Sequence, residues 1–308
     1  MKKGITVLVS AIIIIGILTG CSRNQNAKST IVIYDGQFSE MKIIHQMVKI
    51  LVEEHTEAAV EIRDEMSPVN NYRDLVSGGG SDLMNSYDGT LLTTYLKVDV
   101  SQVPEDKTIY EYANELASEK DQVHLLDPLG HENTYAVAVT QAMADEHGIE
   151  TISDLIDLAP GLTFGAEHEF FSEEGSMKYG PFTKFYGLKF KEAKAIDMAL
   201  KYSAIKSGTI DVTEVYSTDG MNKKVGLKVL EDDLKFFPEY NGALLVRNDL
   251  FERFKEVAPN LEEVLHMLGG RFTNEIMTDL TYEVDVAGRS PEETARTFLR
   301  DEGLIQAE

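Results

Sequence analysis

Short β-branched runs alternate with helical patterns along most of the chain, and this alternation narrows the possible folds more than any other feature. Ile31-Val32-Ile33-Tyr34 is a strand-like run, closed by Asp35-Gly36. From Ser39, a plausible N-cap, the apolar residues Ile43, Ile44, Met47, Val48 and Leu51 recur at spacings of 1, 3 and 4. That is the period of one helix face. Further strands are expected at 59–62, 135–139, 162–164, 210–216 and 242–246. Gly78-Gly79-Gly80 breaks the chain before Asp82-Leu83-Met84. Helices are expected around Met143, over 198–205, and over most of the chain from Leu250 onward. Such alternation predicts an α/β architecture with largely parallel sheets.

The chain has 308 residues, more than one compact core usually fills, so two lobes are expected. No internal repeat is evident, and no long Pro/Gly linker divides the chain after residue 30. The lobes must therefore share several crossings. Two α/β lobes around a hinge place a ligand cleft between them, at the strand ends.

The N-terminus has the layout of a secretory signal. Met1-Lys2-Lys3 is basic, residues 5–18 are mostly apolar, and Leu18-Thr19-Gly20-Cys21 follows. The apolar stretch is short for a spanning helix, which needs about 20 residues. Leu-Thr-Gly-Cys resembles the lipobox of bacterial lipoproteins. The resemblance implies cleavage before Cys21 and acylation of its thiol, with residues 1–20 as signal peptide. Two or more acyl chains hold a protein stably on a membrane. Residues 22–29 are polar and aperiodic, so 21–30 reads as a lipidated tether. The alternative is an uncleaved anchor helix with an incidental cysteine.

Several function classes find no support. The net charge is −23, which repels nucleic acid and draws cations toward the surface. The bland alternative is that acidity only keeps the protein soluble. Cys21 is the only cysteine, and the 7 histidines are scattered without HExxH spacing. Neither a zinc site nor any other cofactor site is implied. Gly78-Gly79-Gly80 leads into Ser81-Asp82 without GK[ST], so it is no P-loop. No G-x-S-x-G elbow or post-strand GxGxxG is present, and no enzyme is expected.

Four tyrosines sit where loops should meet strands: Tyr87, Tyr135, Tyr216 and Tyr240. Strand-end loops collect binding residues. The chain has no Trp, so an aromatic site must use Tyr or Phe. A quaternary ammonium has no N–H to donate, which leaves π-faces and negative potential to hold it. Taken alone, each tyrosine also fits a core or surface role.

The segments Ser86-Tyr87-Asp88-Gly89-Thr90, Asn133-Thr134-Tyr135-Ala136, and the run from Asp211 through Tyr216-Ser217-Thr218-Asp219 to Tyr240 are the most specific in the chain. Together they resemble the substrate-binding lipoproteins of osmoprotectant ABC importers for glycine betaine, carnitine and choline. The resemblance spans about Ile31 to Gly270. It implies a two-lobed periplasmic-binding-protein fold of type II, with lobe I at 31–134 plus 241–308 and lobe II at 135–240. It implies a trimethylammonium cage on Tyr87, Tyr135, Tyr216 and Tyr240, with Thr90 at the ligand's polar end. The implied partners are a small quaternary ammonium ligand, ABC permease subunits and the membrane, through the lipid anchor. A monomer is expected, on the extracytoplasmic face of the cell membrane. The lipobox fits either kind of envelope, and the resemblance points to a Gram-positive host.

Two positions depart from the betaine-binding pattern. A lysine in the first strand–helix turn and an arginine in the second lobe are replaced by Gly36 and Glu173. A ligand carboxylate beside an ionised glutamate costs energy. Choline is therefore the expected ligand, its hydroxyl meeting Gln37, Thr90 or a nearby acid. The alternative is a local slip in the comparison, with Lys178 or another base filling the arginine's role. A different amine, a betaine-like thione or an amino acid is the runner-up ligand, and a ligand-sensing surface protein the runner-up class.

Overall fold

The computed structural model describes residues 30–171, 177–238 and 240–306. Cys21, the signal and the tether as far as residue 29, and also Glu173, lie outside the described residues, whereas Thr30, read as the tether's last residue, already begins the first strand.

Ten strands fall into three sheets among the described residues. β1 (Thr30–Tyr34) and β2 (Ala59–Arg63) pair in parallel, joined by the crossover helix α1 (Ser39–His55). β3 (Leu83–Tyr87), β10 (Gly242–Arg247) and β4 (Val123–Leu125) form a second sheet in the order β3-β10-β4. Helices α2 (Pro68–Ser77), α3 (Asp88–Thr90) and α4 (Ile109–Asp121) complete this part of the first lobe. The second lobe holds β5 (Tyr135–Thr140), β6 (Thr163–Ala166), β7 (Glu192–Ala195), β8 (Val212–Tyr216) and β9 (Leu227–Val229), in the order β7-β6-β8-β5-β9. Its helices are α5 (Gln141–His147), α6 (Tyr179–Tyr186), α7 (Met198–Lys206) and α8 (Gly220–Val225). The chain then returns to the first lobe through β10 and ends in α9 (Leu250–Phe254), α10 (Leu261–His266), α11 (Asn274–Asp285) and α12 (Pro291–Asp301).

The α/β class and the two lobes agree with the sequence. The expected largely parallel sheets do not. β10 runs antiparallel to both β3 and β4, and β5 antiparallel to both β8 and β9. Parallel neighbours need a crossover connection. β5 and β10 instead enter their sheets from the other lobe, so no crossover within a lobe sets their direction.

The helical periodicity of α1 translates directly into burial. Ile43, Ile44, Met47, Val48 and Leu51 are all buried, in a core shared with Ile31, Ile33, Phe272 and Leu299. Ser39 does not cap α1: Phe38 holds the N-cap position, and the Ser39 hydroxyl donates to Asp285 on α11. The glycine run ends α2, with Gly78 in the left-handed region at φ 71°. The second lobe is built around aromatic packing, with Phe164, Phe170, Phe182 and Phe237 buried together.

Two crossings between the lobes run side by side. Glu132 and Asn241 form an antiparallel bridge. Around it, the Gly242 N–H donates to the His131 carbonyl at 3.0 Å and the Asn133 N–H to the Tyr240 carbonyl at 3.1 Å.

Candidate ligand-binding site

The antiparallel register of β5 and β8 sets Tyr135 directly opposite Tyr216. Directly opposed residues on one face of a sheet meet side chain to side chain. The two rings stand 5.4 Å apart, tilted by 33°. Tyr135 also meets Phe170 edge-on at 5.4 Å and Phe237 at 6.3 Å. Burial raises the pKa of both phenols, against an opposing effect of Lys178 at Tyr135, so both stay neutral.

Tyr87 and Tyr240 approach from the first-lobe side. Tyr87 ends β3 and lies opposite Gly242, two residues beyond Tyr240. The Tyr240 ring packs over Gly89, where a Cβ would come within 2.6 Å of two ring carbons. Glycine at 89 is therefore what admits the ring. The Tyr87 hydroxyl donates to Glu40, and burial with that carboxylate pushes its pKa well above the ordinary value. Tyr135 and Tyr240 flank the two antiparallel crossings, Tyr216 pairs with Tyr135, and Tyr87 pairs with Gly242.

Charged groups crowd the same region. The Lys178 ammonium lies 5.6 Å from the centre of the Tyr135 ring and 2.8 Å from Glu169. Burial lowers its pKa, but Glu169 and Tyr135 outweigh this and hold it above the usual lysine value. Lys201 reaches under Tyr216, with its nitrogen 5.7 Å from the ring centre. It is only 1% exposed and pairs with Glu167 at 2.9 Å and Glu214 at 3.3 Å. Glu214 is fully buried in the central strand, and its Oε1 has no hydrogen-bond partner. Burial pushes its carboxyl up to about 7, against the pull of Lys201.

Thr90 lies partly buried at the end of α3, three residues after Tyr87. Gln37 is exposed on the turn between β1 and α1. Glu173 and Cys21 fall outside the described residues. Sequence reasoning passed over Glu40, His131, Lys201 and Glu214. Two of these carried a signal: a glutamate inside the β-branched run Val212-Thr213-Glu214-Val215 and a lysine inside the mostly apolar helix α7.

Several known proteins are similar to this chain over most of its length. The chain is 29% identical to the carnitine transport binding protein OpuCC of Listeria monocytogenes, over 99% of both chains. It is 30% identical to a glycine-betaine-binding protein of Pseudomonas aeruginosa, over 74% of both. It is 29% identical to the ergothioneine transport permease/ergothioneine binding protein EgtU of Helicobacter pylori, over 92% of this chain, but spans only 49% of that relative's length. A solved structure of a glycine betaine/carnitine/choline ABC transporter superposes with a TM-score of 0.81 at 28% identity, over 90% of this chain and 100% of that one. Apo YehZ of Escherichia coli shares the fold with a TM-score of 0.74, at 21% identity over 90% and 99% of the two chains. Residues 29–301 match the model of the substrate binding domain of ABC-type glycine betaine transport systems, and the chain belongs to that family of extracytoplasmic, non-enzymatic solute-binding proteins.

Proposed function

We propose that this protein captures a quaternary ammonium compound, choline in preference to carboxylated betaines, in a cage of Tyr87, Tyr135, Tyr216 and Tyr240, and delivers it to an ABC permease. The observation that carries the reading is the Tyr135–Tyr216 pair, two neutral aromatic faces at opposed strand ends. Each desolvated cation–π contact contributes roughly 0.5–2 kcal/mol, so four rings at the upper end of that range supply about the 8 kcal/mol of micromolar affinity. Glu40, Glu167 and Glu169 outnumber Lys178 and Lys201 around the rings, which supports a net cation. We place the lobe boundaries at 134/135 and 240/241, the anchor on Cys21, and Thr90 and Gln37 at the ligand's polar end. Glu173 stands against a ligand carboxylate.

One observation favours a second reading, a zwitterion such as carnitine or glycine betaine. Lys178 sits against Tyr135 with its charge retained, where a ligand carboxylate could pair with it. Calorimetric titration of the chain from Ser22 with choline, carnitine, glycine betaine and ergothioneine decides between them. Choline binding without betaine binding supports the first reading. Tight betaine binding keeps the cage and removes the role of Glu173, and a Glu173→Arg variant with an unchanged choline-to-betaine ratio does the same. Binding of none of the four overturns the cage.

A further inference from the structure

Glu40 lies in the first turn of α1, yet it is only 2% exposed. Its two carboxylate oxygens collect donors from three parts of the molecule. Oε1 accepts from the Tyr87 hydroxyl and faces His131 Nε2 at 3.1 Å. Oε2 accepts from Thr218 Oγ1 at 2.6 Å and from Asn133 Nδ2 at 3.3 Å. Tyr87 and Glu40 belong to the first lobe, His131 and Asn133 to a crossing, and Thr218 follows β8 of the second lobe. Thr218 is itself held from the other side, because the Thr281 hydroxyl of α11 donates to its carbonyl at 2.8 Å.

The protons in this cluster can be assigned. Burial works to raise the Glu40 pKa, but His131, Thr218 and Tyr87 outweigh it and hold the carboxyl below its usual value. Tyr87 is pushed the other way and keeps its proton. A carboxylate buried with so many donors is costly to replace, since each donor left unpaired carries its full desolvation penalty. A phenol that donates to a carboxylate also has an electron-richer ring, and so a better face for a cation.

We propose that Glu40 is a positioning residue that orients and enriches the Tyr87 ring while tying both lobes to the crossing. The first half rests on the reading of Tyr87 as a cage residue; the lobe tie does not. Closure on a ligand would then pivot about a fixed polar knot instead of a loose strap. Glutamine at 40 preserves shape, but its amide presents one acceptor where the carboxylate presents two, so at least one donor loses its partner.

The test uses Glu40→Gln, Tyr87→Phe, their double variant, and Thr218→Val. Without ligand, amide exchange is followed at Ser217, whose N–H donates at 3.0 Å to the carbonyl of Thr134, the last residue of the first crossing. Exchange there should quicken by about tenfold or more in Glu40→Gln and in Thr218→Val. An unchanged rate in both overturns the tie. With choline as probe, Glu40→Gln should weaken binding by about tenfold, and Tyr87→Phe should already account for most of that loss. Independent, multiplying losses would show Glu40 acting only as scaffold and overturn its role at Tyr87. Should Glu40→Gln not fold, Thr218→Val still tests the tie and Tyr87→Phe the hydroxyl. Quickened exchange in a protein whose wild type binds none of choline, carnitine, glycine betaine and ergothioneine would sink the cage and leave the tie standing.

Discussion

The ammonium nitrogen of Lys178 stands 5.6 Å from the centre of the Tyr135 ring, so one face proposed for a ligand cation already has a cation of the protein's own beside it. Lys178 would repel a ligand cation and attract a ligand carboxylate. Lys178→Gln is therefore expected to raise the choline-to-glycine-betaine affinity ratio, by about tenfold for a partly shielded charge at this range. Parallel calorimetric titrations measure it. A ratio that stays put removes Lys178 from selectivity.

Tyr135 and Tyr216 face each other across β5 and β8, at the end of the strand pair. Replacing both by alanine should abolish quaternary ammonium binding, because two rings at roughly 0.5–2 kcal/mol each are lost together. Tyr135 also packs on Phe170 and Phe237, so some loss of melting temperature is expected alongside. Circular dichroism separates the two effects. Retained binding in a folded double variant would dismiss the cage.

Gly89 offers a test that leaves every ring in place. A Cβ at 89 would lie 2.6 Å from the Tyr240 ring, and the ring must swing away. Gly89→Ala is expected to weaken choline binding by about tenfold while costing about 1 kcal/mol of stability, since the displaced ring is only partly buried. Chemical denaturation and titration of the same sample check both numbers.

Glu214 makes the protein's stability and binding depend on pH near neutrality. Burial raises its carboxyl from the ordinary 4.5 to about 7, with Lys201 opposing. The folded state then keeps a proton that the unfolded state has released, and stability falls as pH rises through this interval. The contribution is full below the ordinary value and gone once pH passes the raised one. Glu214→Gln should flatten this dependence of the melting temperature between about pH 5 and 8. A cation on Tyr216 favours the ionised carboxylate, so choline capture near pH 7 should release protons. Calorimetry in two buffers of different ionisation enthalpy detects the release, and its absence would place the ligand away from Glu214.

Much of the architecture was legible in the chain because it is encoded locally. The spacing of Ile43, Ile44, Met47, Val48 and Leu51 marks one helix face, and that face is buried. The run Ile31-Val32-Ile33-Tyr34 lies within a strand for the same reason: backbone preference and burial agree within a few residues. The four tyrosines could be placed near strand ends, although Tyr135 begins its strand where Tyr87 and Tyr216 end theirs.

What the chain did not disclose depends on residues far apart in sequence. Glu40 and Thr218 are 178 positions apart, and only the crossing of the lobes brings them to 2.6 Å. Lys201 and Glu214 each interrupt an apolar run, but only the packing of α7 under β8 pairs them and seals them from water. Strand direction belongs here too, since β5 and β10 arrive from the opposite lobe and local pattern carries no record of that route. The sequence by itself determined the periodicity of helices and strands, because dihedral preference and hydrophobic spacing act over neighbouring residues. The tertiary structure alone decided which charges meet and which protons they hold, because desolvation and pairing depend on everything that surrounds a group once the lobes have packed.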